Sequence, residues 1–279
     1  MEQIIDIHTH IYPATLARRA MEVAGREHDA YEKLPLKENL LARMQENHIK
    51  LSVVQHVVTK PSTQTDVNRF ASESLRKGLM AFGGLHPDCA NVEEELERLK
   101  DRNMAGVKLH PPFQRVHLAE EKYREMWERI NRLRFPVLIH CGKARKAGAY
   151  DFFPSDVRKI LRYLPDVPVI LAHMGGRSGD PQEEKILFAM PENVLVDTAM
   201  SAEFQSTEDF ERLAQNMRPE RVLFGSDFPY GSQKNAIEYI RKSCFSQEEK
   251  EMMLGKNAAR ILNIKTGSPE QDPVYENTK

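Results

Sequence analysis

Cysteine is scarce in this sequence: Cys89, Cys141 and Cys244 are far apart and odd in number. This usage argues against a disulfide framework and is typical of a reducing compartment. No apolar run approaches the roughly 18 residues of a membrane span. The first residues, with Glu2 and Asp6, lack the basic and then apolar pattern of a signal peptide. We therefore expect free thiols, no membrane partner and a cytoplasmic location.

An excess of either charge is also absent, because 40 basic residues stand against 41 acidic ones. No block of about five or six like charges occurs, so the sequence lacks the concentrated basic surface that binds a nucleic acid or an anionic membrane. The expected partner is a small molecule. Self-association into a homo-oligomer is left open by the sequence.

What the sequence does contain is an alternation of eight short apolar segments with helical segments, the pattern of parallel βαβ units. A length of 279 residues suits one (β/α)8 barrel, for which about 250 residues are typical. An open doubly wound sheet is the alternative, but it would spread residues at the strand ends along a line. The predicted strands are 4–10, 51–58, 79–85, 106–110, 136–140, 167–173, 194–197 and 221–225.

We predict a single α/β domain, a (β/α)8 TIM barrel over residues 1–264. The segments 246–254 and 256–262 are expected to be extra C-terminal helices. Residues 265–279 are polar and contain two prolines, which predicts a flexible tail.

Six of the ten histidines stand at the carboxyl end of a predicted strand, and Asp227 follows the last strand. In a barrel these ends share one face, where active sites lie, so the side chains should converge. His86 is the weakest member, because a His-Pro pair serves equally well as part of a turn. The six are His8, His10, His86, His110, His140 and His173.

Imidazole nitrogens together with a carboxylate suit a divalent ion of the zinc class. Such an ion lowers the pKa of a bound water toward about 7 and makes hydroxide available at neutral pH. Asp227 can bind the ion through one oxygen and accept a proton with the other, whereas His173 can bind a second metal or donate a proton to a leaving group.

The chain resembles the amidohydrolase superfamily and, within it, amidohydrolase family 2, the amidohydrolase-related metal-dependent hydrolases. One His-x-His pair is a weak signal, but the matching stretches follow the order of the family over nearly the whole chain. They are IDIHTH at 5–10, GVKLHP at 106–111, VLIHCG at 137–142, LAHMGG at 171–176, LFGSDFP at 223–229 and NAARIL at 257–262.

The resemblance implies a distorted (β/α)8 barrel with a metal ion at the strand ends. It implies that His8, His10, His140 and Asp227 hold this ion, with His173 nearby as a further ligand or an acid/base group.

The resemblance leaves the role of Lys108 open. In binuclear members a carboxylated lysine on the fourth strand bridges two metals, whereas many family 2 members hold one ion and the lysine does not bridge. One ion, most simply zinc, is favoured here, and two are possible if Lys108 is carboxylated. Lys108 can instead bind a substrate carboxylate or pair with a ligand carboxylate, and His110 can contact substrate or support the ligands.

Basic residues on the loops after the fifth and sixth strands suggest an anionic substrate that carries a carboxylate. We predict that Lys143, Arg145 and Arg177 contact this substrate, although a solvated basic loop is the simpler reading of any one of them.

The expected activity is hydrolysis, in which a metal-activated water attacks an amide, lactone or ester. Asp227 and His173 would move the protons. The alternative is a non-oxidative decarboxylase of the aminocarboxymuconate-semialdehyde or resorcylate type, because relatives use the same ligand set for C–C cleavage. A third possibility is a binding protein with an inactive site, which the complete ligand set disfavours.

Overall fold

The computed structural model describes residues 3–23, 34–144, 148–176 and 179–264, so the predicted tail at 265–279 lies outside the described residues. Eight parallel strands form one sheet whose order follows the chain. The strands are β1 (Ile4–Thr9), β2 (Ile49–Gln55), β3 (Leu79–Gly84), β4 (Gly106–Leu109), β5 (Val137–Ile139), β6 (Val169–Leu171), β7 (Val194–Asp197) and β8 (Val222–Leu223).

The first and last strands meet and nearly close the sheet into a barrel. The Asp227 N–H donates to the His8 carbonyl at 2.8 Å, and the His10 N–H donates to the Phe228 carbonyl at 2.7 Å. The closing bonds lie at the carboxyl ends of the strands, where the candidate ligands are. The prediction of a (β/α)8 barrel over an open sheet is confirmed.

At least one helix lies between each pair of consecutive strands, and the predicted extra helices follow β8. No helix in the described part of the chain is long and apolar enough to cross a membrane. A π-helical turn spans Met252–Lys256. The α-helices are α1 (Ala14–Val23), Lys37–Glu46, Gln64–Ser74, Val92–Asp101, Pro111–Gln114, Arg124–Arg132, Pro154–Ile160, Pro181–Phe188, Ser201–Phe204, Thr207–Met217, Gln233–Lys242, Gln247–Glu251 and Asn257–Ile261.

Successive side chains of a strand point alternately outward and inward, and this divides the core into two layers. Val137 and Ile139 belong to the cluster that the surrounding helices cover, whereas Leu138 belongs to a second cluster of residues that fills the inside of the barrel. Ala258 and Ala259 of the last helix belong to this inner cluster. The C-terminal helices therefore close the barrel, and the polar face at the strand ends stays available for chemistry.

An irregularity in β1 brings His8 to the inside of the barrel. Ile5 and Ile7 belong to the inner cluster, so strict alternation would turn His8 outward. The register against β2 shifts between Asp6 and Thr9, which gives β1 one residue more than its neighbour over this interval. An extra residue of this kind redirects the side chains that follow it and is frequent beside active sites.

Candidate metal centre

Three acceptor atoms converge where β1 and β8 end. The Oδ1 atom of Asp227 lies 3.1 Å from His10 Nε2 and 3.5 Å from His8 Nε2. Ligand atoms of these three buried residues all lie within 4.8 Å of one another, as a metal site requires. His140 is not a member of this compact group.

Hydrogen bonds at the far side of each ring fix which nitrogen carries the proton. His8 Nδ1 lies 2.8 Å from Asp197 Oδ2, and His10 Nδ1 lies 2.7 Å from the carbonyl oxygen of Gln55. Both partners are acceptors, so each Nδ1 must donate, and the neutral ring presents an unprotonated Nε2 to Asp227. Two lone pairs and a carboxylate oxygen that face one another repel unless a cation lies between them. The donor set therefore fits a divalent metal.

The charge of Asp227 is strongly favoured at this position. Burial alone would raise the pKa of this carboxyl, but when no metal is bound and His8 and His10 carry a second proton, these imidazolium rings outweigh burial and lower the pKa below its ordinary value. Its backbone is also left-handed, with φ of 63°, as is that of His173 at 59°. Non-glycine residues rarely adopt this region, and such strain concentrates at functional sites.

A chain of hydrogen bonds orients His140, the next predicted ligand. His173 Nδ1 lies 3.1 Å from the Ala199 carbonyl oxygen and must donate to it, which leaves His173 Nε2 to accept from His140 Nδ1 at 3.1 Å. The remaining nitrogen, His140 Nε2, is buried without a hydrogen-bond partner. It is the unprotonated nitrogen that a metal ligand needs. In this arrangement His173 is fixed by Ala199 through Nδ1 and orients His140 through Nε2.

Lys108 and His110 lie beside these rings. The Nζ atom of Lys108 is 3.3 Å from His8 Nε2, and burial lowers the pKa of this lysine to about 8. His110 stacks on His140 with ring centroids 4.0 Å apart, and on its other side it stacks on Phe113. Both residues thus lie beside the candidate ligands, and their roles stay predictions.

Asp6 supports the loop that carries Asp227. Its carboxylate accepts hydrogen bonds from the backbone N–H and the hydroxyl of Ser226, from Gln233 Nε2 and from the His8 N–H. Burial raises the pKa of Asp6 to about 6, although these donors oppose the shift. Asp6 is not part of the compact ligand group, so it orients the loop and the strand.

The centre forms part of the wall of a cavity of about 700 Å³. Lys143 lines this cavity, and its contact with substrate stays a prediction. Arg145 and Arg177 lie outside the described residues. Arg19 and Lys60 also line it and were not anticipated from the sequence. Together with Lys108, the described part of the lining holds four cationic side chains and one carboxylate, Asp227.

Asp197 is a further residue of the site that was not anticipated from the sequence. It is fully buried, and its second oxygen, Oδ1, accepts from the backbone N–H groups of His173 and Ala199. Interaction with His8 and His173 lowers the pKa of this carboxyl, although burial opposes the shift. A signal was present in the sequence, since Asp197 ends a strand as the histidines do.

Comparison with protein families gives one extended match. The profile of the family described as amidohydrolase covers residues 5–264. A 6-methylsalicylic acid decarboxylase from Aspergillus aculeatus is 24% identical over 88% of this chain and 89% of its own length.

Among solved structures, a 2,6-dihydroxybenzoate decarboxylase in complex with 2,6-dihydroxybenzoate superimposes with a TM-score of 0.75. Its sequence identity is 16%, over 94% of this chain and 100% of that chain. A dihydroxybenzoic acid decarboxylase from Polaromonas with bound manganese and the inhibitor 2-nitroresorcinol has a TM-score of 0.73 and 16% identity, over 95% of this chain and 98% of that chain. At 16% sequence identity, the structural similarity shows that this chain and the two decarboxylases share a fold.

These findings correct the expected activity. The similar proteins are mainly decarboxylases, so the prediction of a hydrolase is contradicted and the alternative is favoured. Metal dependence is supported by the family and by the His8, His10 and Asp227 group. The physical reason for the error is that the same ligands can polarise a carbonyl or hold a carboxylate, so the ligand set alone does not select the bond that breaks.

Proposed function

The chain belongs to the amidohydrolase family, and on that premise we propose that it is a metal-dependent, non-oxidative decarboxylase of a small aromatic carboxylic acid. The observation that carries the proposal is the convergence of His8 Nε2, His10 Nε2 and Asp227 Oδ1 beside a cavity rich in cations. The decarboxylases among the curated relatives support the reaction type.

His8, His10 and Asp227 would hold the ion, and His140 would supply Nε2 as a further ligand. A divalent ion there would neutralise the carboxylate and a neighbouring oxygen of the substrate and withdraw electrons from them. We propose one ion, with Lys108 as an ammonium beside it. Zinc suits the imidazoles and the carboxylate, and the manganese in the Polaromonas enzyme makes that metal the alternative.

Loss of carbon dioxide from an aromatic acid requires a proton at the ring carbon that carries the carboxyl group. When the C–C bond breaks, its electron pair returns to the ring and carbon dioxide leaves, so hydrogen replaces the carboxyl group. We assign delivery of this proton to Asp227, which would take it up from solvent water before the transfer and return to the carboxylate form when the ring carbon is protonated. Both imidazoles contact its Oδ1 atom, so Oδ2 is the oxygen available for the transfer. A carboxyl group with a lowered pKa is a strong donor once it is protonated.

The substrate carboxylate would be attracted by the cationic side chains of the lining. Lys108 is fully buried next to His8, whereas Arg19, Lys60 and Lys143 are exposed at the cavity wall. Buried charges act in a low dielectric and exposed ones are screened by salt, so Lys108 should contribute most to binding. We propose His173 as the residue that orients His140.

The experiment is to incubate the metal-loaded protein with hydroxylated benzoates in D₂O and separately in ¹⁸O-labelled water. Decarboxylation should release carbon dioxide and leave one deuterium at the carbon that carried the carboxyl group. The methyl esters of the same acids test hydrolysis: ¹⁸O in the acid released from the ester, with no carbon dioxide from the free acids, would overturn the proposal. Asp227→Asn should abolish turnover and retain the fold, as judged by circular dichroism. Full activity of Asp227→Asn would reject the assigned proton donor.

A further inference from the structure

One face of α1 forms a largely apolar wall of the cavity, in which Arg19 is the charged member. Leu16, Ala20 and Val23 follow one another at helical spacing, and all three line the cavity. On an adjoining face of the helix, Ala17 and Met21 are buried. The helix is therefore anchored by one face and presents the adjoining one to whatever occupies the cavity.

This wall is more exposed than apolar side chains usually are. Leu16 is 51% exposed and Val23 is 64% exposed. Within the described residues five large hydrophobic side chains are exposed, and three of them, Leu16, Val23 and Phe113, line this one cavity. Single exposed apolar residues need no explanation, but their concentration at one site marks a binding surface.

The size of the cavity supports the same conclusion. A cavity of about 150 Å³ is enough for one benzene ring, whereas this one encloses about 700 Å³. An aromatic acid with small substituents would leave most of that volume to water. The metal centre and α1 line the same cavity, so a single ligand with its carboxylate at the centre can extend along the helix.

We propose that Leu16, Ala20 and Val23 bind an apolar substituent of the substrate, so that the enzyme prefers aromatic acids larger than a single substituted ring. The inference rests on the proposed function, because it assigns the carboxylate to the metal centre. Continuity of the wall with the centre favours the substrate over a second copy of the chain as the occupant.

The test compares the binding of 2-hydroxybenzoate and 2-hydroxy-4-phenylbenzoate to the metal-loaded protein by titration calorimetry. Burial of a phenyl group against this wall should make the extended acid bind about tenfold more tightly. The double variant Leu16→Asn/Val23→Thr replaces the wall with polar side chains of similar size and should reduce that preference to about twofold. Phe204→Asn is the matched control, since Phe204 is 60% exposed and is not part of the cavity lining. This control should retain the full preference.

Equal affinity of the native protein for the two acids would overturn the inference, as would an unchanged preference in the double variant. Sedimentation of the native protein as a dimer that the double variant converts to a monomer would assign the wall to a second copy and overturn it as well. Carbon dioxide release is measured in parallel. Turnover without a preference rejects this inference alone, whereas a preference without turnover rejects the proposed decarboxylation alone.

Discussion

Asp197 accepts a hydrogen bond of 2.8 Å from His8, and this bond joins the ends of β7 and β1 across the barrel. The other carboxylate oxygen is used by two backbone N–H groups, those of His173 and Ala199. One buried carboxylate therefore determines the protonation of a candidate ligand and also holds the left-handed segment that contains His173. Carboxylates that orient metal-binding histidines in this way are a general device of metal sites.

Replacing Asp197 by asparagine should weaken metal binding. The two backbone N–H groups would keep the amide oxygen of Asn, so its NH₂ group would face His8 Nδ1 and move the ring proton to Nε2. Loss of such a partner lowers metal affinity by about 10- to 100-fold, which competition with a chelator would measure. Asp66→Asn is the control, because Asp66 is an exposed partner of Arg69. Native affinity in Asp197→Asn would contradict the assigned role.

Removal of His140 and removal of His173 should lower the metal affinity by different amounts. His140→Ala deletes a candidate ligand nitrogen, whereas His173→Ala deletes only the group that orients it. We expect the His173 variant to lose about tenfold in metal affinity and the His140 variant to lose more, both by metal titration with a colorimetric chelator. The reverse order would make His173 the ligand and His140 its support.

His56 should make the stability of the metal-free protein depend on pH. The ring packs edge-on against Phe70, and its buried Nε2 lacks a hydrogen-bond partner. Burial, with the nearby His10, lowers the pKa of His56 from 6.5 to about 3. Between these values the unfolded chain binds the additional proton, so the free energy of unfolding falls as pH decreases.

The variant His56→Leu should remove this contribution. Below pH 6 its free energy of unfolding should fall less steeply than that of the native protein, by about 1.4 kcal/mol per pH unit. Urea unfolding of chelator-treated protein at several pH values measures the difference. At pH 8, where the ring is neutral in both states, the two slopes should coincide. Parallel curves down to pH 4 would contradict the prediction.

Gly255 should be essential for the contact between the π-helical turn and the start of β1. A Cβ atom at this position would overlap the backbone carbonyl oxygen of Gln3, which cannot rotate away as a side chain can. Gly255→Ala should therefore lower the free energy of unfolding by about 1–3 kcal/mol, as measured in urea. Gly148→Ala is the matched control, since a Cβ there meets no atom within 4 Å. Equal stability of both variants would refute the argument.

The fold and much of the site were predictable because their signals are local. Alternating apolar segments define the barrel, and histidines at the strand ends define its active face. The register shift between Asp6 and Thr9 was not predictable, since it depends on how β1 pairs with β2. The left-handed backbone at His173 and Asp227 was also beyond prediction, because tertiary contacts must stabilise it.

The partners of the ligands were harder to predict than the ligands. Asp197 reaches His8 over 189 positions of sequence, and the sequence alone gives no reason to pair them. His10 is bound by the backbone carbonyl of Gln55, and since every residue has such a carbonyl, the sequence does not indicate this contact. The bond that the enzyme breaks was predicted incorrectly because it depends on how substrate lies in the cavity, not on which atoms hold the metal.

The barrel closes where its candidate ligands stand, because Asp227 and His8 share the backbone hydrogen bond that joins the last strand to the first. His8 and His10 are synthesised more than two hundred residues before Asp227. A nascent or truncated chain without β8 therefore has no complete site for the ion. Metal binding at this site would require a complete barrel, and an ion bound there would link the two ends of the chain.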